Sequence, residues 1–109
     1  MRDEAERRLA GNEDVFREVN ESIERGRWPG DEQAPVAFRC ECARLGCDMM
    51  IELPIREYER VRANPRRFIV AVDHDNPELE TVVEAFEDYL VVEKRGEAGR
   101  VSEDTDPRG

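Results

Sequence analysis

The first part of the chain carries a stripe of mainly apolar residues at helical spacing. Its members recur every three or four residues, which places them on one face of a helix. They are Ala5, Leu9, Asn12, Phe16, Val19 and Ile23. We predict a helix over residues 3–25 that packs this stripe on its own domain, or alternatively docks a partner helix or a second copy. Because Gly11 weakens a helix and Asn12 is a good N-cap, residues 1–11 are expected to be a frayed start.

After a polar linker at residues 31–35, apolar residues recur at every second position. Val36, Phe38 and Cys40 alternate with Ala37 and Arg39, a pattern typical of a strand. The apolar residues from Met50 to Leu53 predict the returning strand. These two segments therefore predict a hairpin whose loop holds the remaining cysteines.

A second helix and further strands are predicted beyond the hairpin. The helix enters at Pro54, has Ile55, Tyr58 and Val61 at helical spacing, and ends at Asn64 and Pro65. Residues 68–72 form an apolar run of strand length. Residues 81–83 and 89–92 predict a second hairpin, although residues 79–90 are also compatible with a short helix.

These elements indicate an α+β protein with a small antiparallel sheet of four to five strands and one short helix besides the N-terminal one. Residues 12–96 are expected to form a single domain. Residues 97–109 contain Val101 as their only large apolar residue, so we predict a disordered acidic tail there.

The charge is strongly negative and unevenly distributed. The chain of 109 residues has 17 basic and 27 acidic residues, a formal charge of -10. Residues 73–109 hold twelve acidic and four basic residues, which disfavours nucleic acid and favours a basic protein partner. No apolar run is long enough to span a membrane and no secretory signal is evident, so a cytoplasmic location is expected.

One basic cluster interrupts this pattern, with five arginines among twelve residues. Glu57 and Glu59 lie between its members, which favours a solvated helix face with internal ion pairs over an anion or RNA site. The cluster consists of Arg56, Arg60, Arg62, Arg66 and Arg67.

The candidate chemistry lies in the cysteines. Cys40, Cys42 and Cys47 form a Cys-x-Cys-x4-Cys cluster, called the knuckle below (residues 40–47), and His74 is the only histidine. Residues i and i+2 of an extended segment face the same side, so Cys40 and Cys42 are able to bind one ion. Gly46 permits the tight turn that returns Cys47. The strand before His74 is able to bring it back beside the knuckle.

Three thiolates and one imidazole suit tetrahedral zinc, and four ligands from the protein alone are typical of a structural site. Metal binding would also stabilise a domain with so small a core. The competing interpretation is that the cysteines are small core residues and that His74 lies on a surface loop.

An iron-sulfur site is a second interpretation. Cys40, Cys42, Cys47 and Asp48 look like part of the ligand pattern of CDGSH-type [2Fe-2S] proteins. In that family the histidine lies a few residues after the third cysteine, whereas residues 49–52 of this chain contain none. A thiol or iron-sulfur sensor of redox state or metal therefore stays the alternative function.

Catalysis has the weakest support. Asp73, His74 and Asp75 are compatible with an acid/base group or an oxygen-rich metal site, and a cysteine activated by His74 is the one enzymatic arrangement available. No oxyanion-hole motif or hydrolase signature accompanies them, so we assign no catalytic residue. A zinc protein that acts by protein contacts, in a regulatory or adaptor role, is the leading hypothesis.

Segments over about residues 4 to 99 resemble a family of small uncharacterised proteins of high-GC Gram-positive bacteria. That family has a Phe-x-Cys-Glu-Cys knuckle with a third cysteine, a Glu-Tyr-Glu-x-Val-Arg helix and a histidine after a Phe-x-Val strand. The resemblance implies a metal-binding fold with the same Cys3His ligands and implies no activity. A glycine often precedes the histidine in the family, where this chain has Asp73. The matching positions are Phe38, Cys40, Glu41, Cys42, Cys47, Glu57, Tyr58, Val61, Arg62, Phe68 and His74.

Overall fold

A computed structural model describes residues 17–26, 33–42, 44 and 46–106 of the protein. Residues 17–26 are helical and are called α1. The following elements are β1 (Pro35–Arg39), β2 (Met50–Pro54), α2 (Ile55–Arg62), β3 (Arg67–Ala71), β4 (Glu80–Ala85), β5 (Tyr89–Lys94) and α3 (Gly96–Asp104). The α+β class predicted from the sequence is confirmed. None of the helices in these described ranges has the length and apolar character that a membrane span requires.

The five strands form two antiparallel sheets rather than one. Strands β1 and β2 pair as a hairpin in which Phe38 lies opposite Ile51, and the second sheet has the order β3-β5-β4. The sheets stay separate because the chain leaves the β1 ladder to form the knuckle. There the Glu41 amide donates to the Ile69 carbonyl at 2.8 Å and connects the knuckle to β3.

The second hairpin is confirmed, and the helical alternative for residues 79–90 is wrong. Strand β4 pairs with β5 through a register shift between Val82 and Glu84. The Phe86 amide donates to the Tyr89 carbonyl at 2.8 Å across the turn. The β-branched residues Thr81, Val82 and Val83 favour the strand that is observed there.

The core lies between the first hairpin, α2 and strands β3 and β5 of the larger sheet. Phe38 of β1 and Tyr58 of α2 are fully buried, and their rings stack with centroids 4.4 Å apart. Burial alternates along β1 and β2, as the period of two predicts. Ile55 and Val61 are buried beside Tyr58, so the predicted apolar face of α2 is confirmed.

The buried face of α1 is polar, which corrects the predicted apolar stripe. Val19 is 39% exposed, while Arg17, Asn20 and Glu21 are buried. Ile23 is partly buried against the core, and the stripe members before residue 17, like the expected frayed start, lie outside the described residues. The helix turns its polar side inward because the surface beneath it offers carbonyl, carboxylate and guanidinium groups.

The prediction of a disordered tail is wrong for most of its length, because α3 begins at Gly96 and extends to Asp104. Its buried residues are small: Ala98, Gly99 and Ser102. A Cβ added to Gly99 would lie 2.9 Å from the Lys94 carbonyl oxygen, so the helix backbone lies close to the end of β5. Close packing of small residues replaces the large apolar side chains that the segment lacks.

Ion pairs from the basic cluster also hold α3 in place. Arg66 donates to Glu103 at 2.8 Å, and Arg62 donates to Asp106. These partners are about forty residues apart in sequence, so local composition does not reveal them.

The basic cluster is only partly the solvated helix face that the sequence predicts. Arg60 is exposed and pairs with Glu57 one turn away and with Glu84 on β4. Arg62 is 2% exposed, and its guanidinium donates to Glu21 of α1. The solvated-face prediction is therefore right for Arg60 and wrong for Arg62, which connects α2 to α1 and to the residues after α3.

Candidate metal centre

The first hairpin positions the three cysteines. Pairing continues one residue beyond β1, where the Cys40 amide donates to the Met49 carbonyl at 3.0 Å. The knuckle closes when the Cys47 amide donates to the Arg44 carbonyl at 3.1 Å. Gly46 has a φ of 80°, in the left-handed region that glycine adopts at little cost. Backbone pairing and this turn together bring the third sulfur to the first two.

His74 is positioned by a tight turn after β3. Its amide donates to the Ala71 carbonyl at 2.9 Å, and the preceding Asp73 has a φ of 69°. Aspartate is one of the few residues besides glycine that tolerates this left-handed conformation. Asp73 therefore forms a tight turn of the kind that glycine commonly adopts.

The structure brings all four candidate ligands together. His74 Nδ1 lies 3.6 Å from the Cys40 sulfur, 3.5 Å from the Cys42 sulfur and 3.4 Å from the Cys47 sulfur. All four candidate ligand atoms lie within 4.8 Å of one another. The competing interpretation is right that Cys40 and Cys42 are buried in the core, but it is wrong to separate His74 from them.

These spacings match those around a single tetrahedral ion. Zinc bonds of about 2.3 Å to sulfur and about 2.0 Å to nitrogen, at the tetrahedral angle, place sulfur and nitrogen about 3.5 Å apart. The measured separations of 3.4 to 3.6 Å lie around that value. The cluster of Cys40, Cys42, Cys47 and His74 is thus compatible with a bound metal ion.

Burial differs among the ligands. Cys40 and Cys42 are each 2% exposed, whereas Cys47 and His74 are half-buried. Water therefore reaches the centre from the side of Cys47 and His74.

The surroundings of the sulfurs oppose ionisation unless a cation is present. Burial raises the pKa of the Cys40 thiol to about 12, against the effect of the Ala71 amide, which donates to this sulfur at 3.1 Å. Burial also raises the pKa of Cys42, against a hydrogen bond from the Arg44 amide. A metal ion would supply the positive charge that thiolates need here.

Glu41 lies between two ligands and is fully buried. Its Oε1 accepts from the Ile69 amide at 2.8 Å, and its Oε2 accepts from the Tyr58 hydroxyl and the Asn20 amide group, each at 2.9 Å. Burial raises the pKa of this carboxyl, while these three donors and the nearby Arg62 act in the opposite direction. One carboxylate thus connects the knuckle to α1, α2 and β3.

Sequence reasoning missed the role of Glu41 because a charged residue between two cysteines is ordinarily expected to face solvent. The alternation of side chains along the strand could have revealed its burial. If Cys40 and Cys42 face the metal, the residue between them faces the opposite side, which here is the protein interior.

Arg44 joins the two loops of the centre. Its guanidinium donates to the carbonyl of Asp73 at 2.7 Å and to that of Asp75 at 3.4 Å. Across the described ranges, neither the Asp73 nor the Asp75 side chain hydrogen-bonds His74. The geometry gives no support to the predicted acid/base group, and these aspartates contribute to the centre through their backbones.

No protein-family model, curated protein or solved structure matches the chain. The Cys3His cluster is the feature of the described residues that points to a function.

Proposed function

We propose that the protein is a cytoplasmic zinc protein with a structural Cys3His site, acting through protein contacts. The observation that carries the proposal is the spacing of His74 Nδ1 from three sulfurs, at 3.4 to 3.6 Å. Cys40, Cys42, Cys47 and His74 would be the four ligands.

The ligand chemistry supports zinc. Thiolates are soft ligands that select zinc, Cu(I) or iron-sulfur clusters over magnesium and calcium, and zinc commonly takes three thiolates and one imidazole. Four protein ligands leave no open position for a substrate or an activated water, which is the arrangement of structural sites.

The placement of the ligands supports a structural role. Three ligands belong to the loop of the first hairpin, and the fourth follows β3 of the other sheet. An ion bound there would join the two sheets across a place where they share little backbone pairing. Its binding free energy would then add directly to the folding free energy.

The compact cluster disfavours the iron-sulfur alternative. A two-iron cluster distributes its four ligands over two irons, so some ligands lie much farther apart than ligands that share one ion. Here all four ligand atoms fall within 4.8 Å. A redox sensor that releases the metal when its thiolates are oxidised would use the same compact ligand set, and it is the alternative to a purely structural role.

The proposed partner is a protein with a basic surface. Residues 73–109 hold twelve acidic and four basic residues, which disfavours a phosphate backbone as the target. The side chain of Phe86, 40% exposed, adds apolar area next to Glu87 and Asp88 in the sequence. Membership in the high-GC Gram-positive family is part of the same proposal and agrees with the ligand set.

Cobalt substitution tests the ligand set. Co²⁺ bound by three thiolates in a tetrahedral site gives intense visible and charge-transfer bands, so the metal-free chain should turn coloured when Co²⁺ is added. Cys47→Ser should weaken the charge-transfer bands, whereas Asp75→Asn, a change beside the ligand His74, should preserve them. An octahedral, nearly colourless cobalt complex, or equal spectra for all three chains, would overturn the assignment.

A further inference from the structure

The described part of α1 is held on the protein by polar groups. Val19 and Ile23 are its only apolar residues, and Val19 is 39% exposed. Hydrogen bonds need their partners at defined distances and angles, whereas apolar contacts tolerate shifts. The docking of α1 therefore depends on the geometry of the surface beneath it.

Asn20 makes the closest link between α1 and the metal centre. Its amide group donates to the Arg39 carbonyl at 2.8 Å and to Glu41 Oε2 at 2.9 Å. Its carbonyl oxygen accepts from the Arg39 amide at 2.7 Å. One buried side chain thus bonds both backbone groups of the residue before Cys40 and the carboxylate between Cys40 and Cys42.

The same backbone carries two ligands. An ion bound by Cys40 and Cys42 would fix the direction of the chain over residues 40–42, and with it the position of the Glu41 side chain. Without the ion, the sulfurs would lose their shared partner, and residues 40–42 would be held mainly by backbone hydrogen bonds to Met49 and Ile69. The Glu41 carboxylate that accepts from Asn20 would then be held less firmly.

We propose that metal occupancy controls the docking of α1, with Asn20 and Glu41 as the connecting residues. The inference rests on the proposed function, since it requires an ion at the Cys3His cluster. By thermodynamic linkage, a metal that favours docked α1 must itself bind more tightly when α1 is docked. In the metal-free protein the Asn20 contacts would loosen, and α1 would be held mainly by Arg17, which donates to the Pro65 and Ser102 carbonyls, and by the Glu21–Arg62 pair.

Hydrogen exchange of the full chain, with and without Zn²⁺, tests the structural half of the coupling. Removing zinc should speed exchange of the amides of residues 17–26 and of the knuckle by about tenfold or more. The amides that pair β3 with β5 should lose less protection than those of α1, because no residue of that ladder is a ligand. Equal loss of protection in α1 and in this sheet, or none in α1, would overturn the proposal.

Zinc affinity tests the reciprocal effect, in which the docking of α1 strengthens metal binding. In chelator competition, Asn20→Ala should bind Zn²⁺ about tenfold more weakly than the unchanged chain, although alanine is the better helix former. Ser22→Ala is the matched control, because Ser22 is exposed on the same helix, and its affinity should be unchanged. If Asn20→Ala does not fold, the hydrogen-exchange comparison on the unchanged chain decides.

The two proposals fail in different ways. An unchanged chain that takes up no Zn²⁺ contradicts the proposed function and this inference together. Normal uptake by the unchanged chain, with equal affinities for Asn20→Ala and Ser22→Ala, contradicts the coupling alone.

Discussion

The Tyr58 hydroxyl donates a hydrogen bond to Glu41 Oε2 at 2.9 Å, in a part of the protein that solvent does not reach. The relationship joins the centre of α2 to the residue between two candidate ligands. Through this hydrogen bond the buried face of α2 contacts the knuckle, while the charged face of the helix stays exposed. The same tyrosine ring stacks on Phe38, so packing and polar contact act on one residue.

Tyr58→Phe should lower the free energy of unfolding by about 1.5 to 3 kcal/mol, since it removes a buried hydrogen bond to a carboxylate and keeps the ring. Urea denaturation of the metal-loaded protein measures the loss. Tyr89→Phe is the control: Tyr89 is also buried, but in the described residues its hydroxyl makes no hydrogen bond. Equal stabilities of the two variants would contradict a stabilising role of the Tyr58 hydroxyl.

Arg62→Met should destabilise the protein by about 3 to 5 kcal/mol, because it removes a buried cation that pairs with the buried Glu21 and the half-buried Asp106. Arg60→Met is the control: Arg60 lies on the same helix with an exposed side chain, and the change removes its ion pairs with Glu57 and Glu84. It should cost at most about 1 kcal/mol. Chemical denaturation of both variants compares them, and a similar small loss for each would show that Arg62 does not hold α1 and α3.

Gly99→Ala should destabilise the protein by about 1 to 3 kcal/mol. The added methyl group would lie 2.9 Å from the Lys94 carbonyl oxygen and closer still to the Arg66 guanidinium. Although the arginine side chain is able to move, the β5 backbone is not. Gly26→Ala, where nothing lies within 4 Å, is the control and should be neutral or slightly stabilising. A thermal melt that shows no loss for Gly99→Ala would contradict the close packing of α3.

Zinc binding should release protons, and zinc affinity should rise with pH between about pH 6 and about pH 8. The metal-free Cys40 thiol has a pKa of about 12 and that of Cys42 is also raised, so both sulfurs carry protons throughout this range. As pH falls, protons compete more strongly and binding weakens. Calorimetry in buffers of different ionisation enthalpy counts the protons; a binding enthalpy that does not depend on the buffer would contradict displacement of thiol protons.

The spacing of apolar residues was sufficient to predict the strands and helices that bury one regular face. The alternation at Val36 and Phe38 and the helical spacing of Ile55, Tyr58 and Val61 correspond to the observed β1 and α2. The grouping of His74 with the three cysteines was also predictable, because a strand of about five residues before the histidine is able to return it to the knuckle.

The parts that sequence reasoning missed depend on polar contacts between distant residues. Asn20 and Glu41 are buried because each satisfies the other, and neither one signals burial by itself. In the same way, α3 is held by Arg66 and by close packing at Gly99 rather than by an apolar stripe. Period and composition describe one segment at a time, so they do not show such pairs.

Elemental analysis with an absorption spectrum tests the central claim most directly. The untagged chain should be purified anaerobically without chelator, with Cys42→Ser prepared in parallel. We predict about one zinc per chain, no visible absorbance, and loss of the zinc in Cys42→Ser. Iron with sulfide and visible absorbance, or an unchanged chain that carries no metal, would contradict the zinc site.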